Sequence, residues 1–144
     1  MKLRPTGIVA IASALLLAAC ATTGSEPPSA GTVSSARLQE GEWRIEDIGG
    51  QGIIDDSRAT LVFGSDGRLS GNASCNRLIA SYNVEGEKIT ISPAGLTMMA
   101  CPPALMDQER KLVDLLGAVN AYSIDNTGAL VLRTASGGQV VARR

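Results

Sequence analysis

From Gly41 onward, short runs of alternating apolar and polar residues are each ended by a turn signal, and one stretch alone breaks that period. Trp43 and Ile45 alternate with Arg44 and Glu46 before Gly49-Gly50-Gln51-Gly52 interrupts. Ala59, Leu61 and Phe63 share one face of the next run, and Ser65-Asp66-Gly67 follows as a hairpin signal. The run from Arg68 to Cys75 places Leu69, Gly71, Ala73 and Cys75 on one face, so the period of two points Cys75 inward. Leu78, Ala80, Tyr82 and Val84 repeat the alternation up to Glu85-Gly86-Glu87. Ile89 and Ile91 then give a strand ended by Pro93 and Gly95. At Pro102-Pro103 the period changes, and two prolines suit the first turn of a helix. Leu105, Leu112, Leu116 and Val119 fall at helical spacing, with Asp107, Glu109, Arg110, Lys111 and Asp114 filling much of the remainder. Tyr122 and Ile124, Leu130 to Leu132, and Val140-Val141 resume the strand pattern. About seven or eight short strands and one amphipathic helix predict an α+β, mainly β fold. Its sheet is a small antiparallel one, curled into a barrel-like shape, because turns this short cannot make parallel crossovers.

The first residues do not belong to that domain. Lys2 and Arg4 precede an apolar run from Ile8 to Ala19, which ends in Leu17-Ala18-Ala19-Cys20. The run is about half the ~20 residues a spanning helix needs, so it reads as a signal-peptide core. Charge, apolar run and small residues before a cysteine resemble the lipobox of bacterial lipoprotein signals. That resemblance implies cleavage before Cys20 and lipid on its sulfur and amino group, giving a membrane anchor at residue 20. An ordinary secretory signal with an incidental cysteine is the alternative. Residues 20–40 are small, polar and rich in Pro and Gly, and are expected to form a flexible tether. The domain itself is expected over 41–144. Ala21-Thr22 after the cysteine, in place of an aspartate, resembles the Gram-negative sorting pattern for outer-membrane lipoproteins, which in such a host implies an anchor in the outer membrane facing the periplasm.

Composition narrows the chemistry. Removing Lys2 and Arg4 from 13 basic side chains leaves 11 against 14 acidic ones, so no basic excess favours nucleic acid. The chain has no histidine, which removes the commonest general base and metal ligand. No Gly-x-Ser-x-Gly or phosphate-cradling Gly-rich turn occurs. Asp107 and Glu109, two apart on a helix, do not face each other as an acid/base pair would, whereas Asp107 and Arg110 suit a surface ion pair. No cofactor, metal or catalytic residue is therefore assigned, and the protein is expected not to be an enzyme.

Cys75 and Cys101 remain as an even pair in an exported chain, for which a disulfide is the default. Closing a loop of about 26 residues would stabilise by roughly 3.5 kcal/mol. A redox-active pair or two buried free thiols are the other readings. Between them lie the candidate binding residues Asn76, Arg77, Thr97, Met98 and Met99. Asn76 suits a structural turn better than a ligand contact, and the methionines suit core filling better than an adaptable groove.

Asp66-Gly67-Arg68-Leu69-Ser70-Gly71, Ser74-Cys75-Asn76-Arg77, Thr97-Met98-Met99-Ala100-Cys101-Pro102 and Gln108-Glu109-Arg110 together resemble the META domain, found in HslJ-like bacterial envelope lipoproteins. Trp43, Leu61-Val62-Phe63, Ser81-Tyr82, Ile89-Thr90-Ile91, Ala121-Tyr122-Ser123-Ile124 and Leu130-Val131-Leu132 extend the likeness over nearly all of 41–144. Ser74 stands where family members usually carry Gly. The resemblance implies a small antiparallel β-barrel-like sheet with one helix. It also implies a non-enzymatic, lipid-anchored envelope protein that contributes to heat or antibiotic tolerance through an unknown protein or small-molecule partner. A carrier of small apolar ligands or lipid is the alternative.

Overall fold

The computed structural model describes residues 30–144; the leader, Cys20 and the first part of the tether lie outside them. The chain forms α1 (Ala30–Leu38), β1 (Glu42–Ile48), β2 (Thr60–Phe63), β3 (Arg68–Asn72), β4 (Arg77–Glu85), β5 (Lys88–Ile91) and β6 (Gly95–Leu96). After these come α2 (Pro103–Ala118), β7 (Val119–Ile124), β8 (Leu130–Thr134) and β9 (Gln139–Arg143). All strand pairs are antiparallel, in the order β3-β2-β1-β9-β8-β7-β5-β4-β6. A further pairing of β3 with β4 closes eight of the nine strands into a barrel. β6 stands outside that ring, paired with β4 through Leu78↔Leu96 and Ile79↔Gly95.

The alternation read from sequence is the alternation of burial. Trp43, Ile45, Leu61, Phe63, Leu69, Leu78, Ile89, Leu130 and Leu132 point into one core and are almost fully buried. Two bulges adjust its phase. Between Ile45 and Asp47 the register with β9 slips by one residue, so Ile45 and Ile48, three apart, both face inward. A second slip between Val119 and Ala121 lets Val119 and Tyr122 do the same. Where β2 crosses β3 the backbones pinch. A β-carbon on Gly71 would sit 1.9 Å from the Thr60 carbonyl oxygen, so no other residue fits there. Among the described residues, no helix is long and apolar enough to cross a membrane.

The two helices occupy opposite ends of the barrel. α2 lies over the end where β1 finishes and β2 and β4 begin, and buries Leu112 and Leu116. At the other end Leu38, the last residue of α1, is fully buried, and its carbonyl accepts from the Trp43 indole at 2.8 Å. The Arg144 guanidinium stacks 4.5 Å from the Trp43 ring centre and pairs with Glu40. α1 adds a short second helix to the one amphipathic helix expected, and it falls on the last part of the segment expected as tether. The segment Ala30–Leu38 has no apolar stripe to announce a helix, and its tertiary hold comes from Leu38. A third difference is at Cys75. β3 stops at Asn72, and Cys75 sits in the turn that follows, yet it is still buried.

Candidate functional site

α2 carries two polar residues on its buried face. Gln108 and Glu109 fall between Leu105 and Leu112 on the apolar stripe and are 9% and 5% exposed. A polar side chain inside an apolar stripe must be fully bonded to be tolerated, and both are. The Gln108 carbonyl oxygen accepts from the Ile54 N–H at 2.9 Å. Its amide nitrogen donates to the Ser57 and Ser74 hydroxyls at 2.6 and 2.8 Å. The Glu109 carboxylate accepts from the Asn76 backbone N–H at 2.6 Å and from the Asn76 side-chain amide at 2.9 Å. One turn of helix thus stitches together the loop after β1 and the turn between β3 and β4.

Asn76 then passes the connection outward. Its carbonyl oxygen accepts from the Thr97 hydroxyl at 3.0 Å and the Met99 N–H at 2.7 Å. Thr97 in turn accepts from the Arg77 N–H at 3.0 Å, and its own N–H donates to the Arg77 carbonyl. The Cys75–Cys101 disulfide fixes the same segment from its far end, with Cα atoms 5.9 Å apart. The backbone from Thr97 to Cys101 is therefore held by an amide, a hydroxyl and a covalent bond.

The side chains on that fixed backbone are free of the core. Met98 is 98% exposed and Met99 59% exposed. Of the two readings for these methionines, core filling is overturned. The bonds that hold this stretch come from Asn76 and the disulfide, and both side chains turn outward. With Leu96, Met106 and the edges of Asn76 and Glu109 they line an open groove of about 510 Å³. The barrel interior, by contrast, is filled by side chains of the strands together with Leu38, Leu112 and Leu116 of the helices.

Ser74 has φ of 102°, a conformation that favours glycine. Its hydroxyl, bonded to Gln108 and Ser57, gives this chain a contact that glycine would lack. The Asp107–Arg110 ion pair lies in solvent on the outer face of α2. Among the described residues, no group of three His, Cys, Asp or Glu side chains converges to hold a metal ion.

The turn carrying Cys75-Asn76-Arg77, joined to Cys101 and to Glu109 of the helix, lies inside a stretch that the META domain profile matches over residues 36–144. The chain belongs to the META domain family. No curated protein matches it. Two solved structures share the fold at low identity, both determined by NMR. One, from Burkholderia xenovorans, is 21% identical, covers 76% of this chain and 86% of its own, and has a TM-score of 0.61. The other is 22% identical over 75% of this chain and 92% of its own, with a TM-score of 0.58. A crystal structure of a DUF4847 family protein from Bacteroides vulgatus, 12% identical, covers 73% of this chain and 92% of its own at a TM-score of 0.55.

Asn76, Thr97, Met98 and Met99, picked out from sequence, do meet in one place. Met98 and Met99 present apolar side chains to solvent; Asn76 is buried and spent on structure, Thr97 is exposed with its hydroxyl bonded to Asn76, and Arg77 enters through its backbone while its side chain is exposed. Sequence reasoning placed Met106 on the apolar stripe of the helix and Glu109 among its polar residues, and noted Gln108 only within the family motif Gln108-Glu109-Arg110. Leu105 and Leu112 are seven apart, so the positions between them on that stripe were the available signal.

Proposed function

We propose that this META-domain protein is a lipid-anchored, non-enzymatic component of the bacterial envelope, attached through Cys20 to the outer membrane on its periplasmic side. There it supports tolerance of heat or envelope-directed antibiotics by docking an apolar partner on the Leu96–Met99 groove. What carries the reading is the combination of Met98 almost fully in solvent with a backbone immobilised beneath it. Exposed large apolar side chains cost solubility and mark interaction sites when grouped. Methionine, unbranched and polarizable, suits a surface that adapts to its partner. Membership of the META domain family supports an envelope-associated protein.

A carrier of small apolar ligands is the second reading, favoured by the same groove. The ligand would lie in the groove between β6 and α2, since the barrel interior is packed.

The test is a deletion strain grown at raised temperature and with envelope-directed drugs. Heightened sensitivity, restored by the wild-type gene and not by a Cys20→Ser form, supports the proposal. Unchanged tolerance in every condition overturns it.

A further inference from the structure

The same groove carries the most accessible sulfur among the described residues, on a backbone that oxidation would not disturb. Thioether oxidation follows exposure. Met98 is 98% and Met99 59% exposed, whereas Met106, on the other wall, is partly buried. We infer that Met98 and Met99 are a modification site for peroxide or hypohalous oxidants, and that their conversion to sulfoxides switches off docking at the groove. The inference rests on the docking reading above.

The step balances simply. With hydrogen peroxide, the thioether sulfur gains one oxygen and gives up two electrons; the O–O bond breaks, and the remaining oxygen leaves as water. With a hypohalous acid, the sulfur again takes the oxygen, and a halide and a proton leave. A sulfoxide reductase reverses the change: two thiols give up two electrons and two protons and join as a disulfide, and the sulfoxide oxygen leaves as water. The product replaces an apolar, flexible side chain by a polar one. At Met98 and Met99 that change falls on the apolar wall of the groove.

The fold is insulated from the event. Met99 is held through its backbone N–H by Asn76, and Thr97 and Cys101 are pinned on either side. None of these bonds uses a methionine side chain. Oxidation therefore alters what the groove offers and leaves the barrel in place. A methionine pair displayed this way reports oxidant as a change of surface.

The purified full-length protein, treated with graded hydrogen peroxide, is read two ways. Peptide mass mapping follows sulfoxide at each methionine, and anilinonaphthalene sulfonate fluorescence reports the apolar groove. Met98 is expected to oxidise first, Met99 next, and Met106 about tenfold more slowly than Met98. Dye fluorescence should fall several-fold as Met98 and Met99 convert, with the melting temperature shifting by less than about 3 °C. In Met98→Leu/Met99→Leu, apolar without sulfur, whatever dye fluorescence the untreated variant gives should not fall on peroxide treatment. Oxidation of Met106 as fast as Met98, or an equal loss of fluorescence in the leucine variant, overturns the inference. Dye that binds and stays bound after Met98 and Met99 convert overturns the switch alone. Dye that never binds the untreated protein overturns the docking reading with it.

Discussion

Replacing Asn76 by alanine tests whether one buried amide organises the end of the barrel under α2. Its amide nitrogen donates to the Glu109 carboxylate, and its oxygen receives the Thr97 hydroxyl and the Met99 N–H. A hydrogen bond to a charged group contributes about 1.5–3 kcal/mol, and each neutral one about 0.5–1.5 kcal/mol. The three together give about 3–5 kcal/mol, a large share of the ~5–15 kcal/mol that holds a small domain. Trp43 is the only tryptophan and is fully buried, so its fluorescence reports unfolding. With a urea slope of about 1–2 kcal/mol/M for a domain this size, Asn76→Ala should lower the midpoint by about 2–3 M. Glu109→Gln leaves one acceptor oxygen for the two Asn76 donors, so the two substitutions should be strongly non-additive. A loss below about 1 kcal/mol, or simple additivity with Glu109→Gln, would refute the reasoning.

Replacing Cys75 and Cys101 together by serine should cost roughly 3.5 kcal/mol, seen as a lower urea midpoint that added reductant does not lower further. The Tyr122 hydroxyl is buried with no partner among the described residues. Tyr122→Phe removes that desolvated group and should leave stability unchanged or raise it by about 1 kcal/mol in the same assay. Asp125, exposed in the turn between β7 and β8, is held below the ordinary carboxylate value of 3.8 first by the Thr127 hydroxyl, then by the Ala129 and Thr127 N–H groups and Arg143. A depressed folded value means that Asp125 stabilises the turn above the unfolded value, and that this is lost as pH falls through the folded one. Thr127→Val should move the NMR titration of Asp125 upward toward 3.8.

Much of the fold was legible because strands facing one core leave a period-two record. Trp43 with Ile45, Leu61 with Phe63, and Leu130 with Leu132 each gave a strand and its buried face, and Pro102-Pro103 marked the entrance to α2. What escaped depends on contacts distant in sequence. The bulge beside Glu46 that brings Ile48 inward follows from its pairing with β9. β6 is two residues long and exists because β4 has a free edge at Leu78 and Ile79. α1 is fixed by burial of Leu38 against Trp43, and nothing in Ala30–Arg37 signals it. At the site, the grouping of Asn76, Thr97 and the methionines was readable from the bracketing cysteines. The division of labour was not. Whether Asn76 or Met98 faces solvent depends on Glu109, a residue 33 positions away in sequence from the amide it receives.

The claim that the methionine rim is the working surface is tested most directly by Met98→Asp/Met99→Asp in a strain lacking the wild-type gene. Both side chains are exposed, so stability should change by less than about 1 kcal/mol. The account predicts a folded, normally abundant protein that fails to restore tolerance of heat or envelope-directed drugs. Full restoration by the aspartate variant, at wild-type abundance, would contradict it.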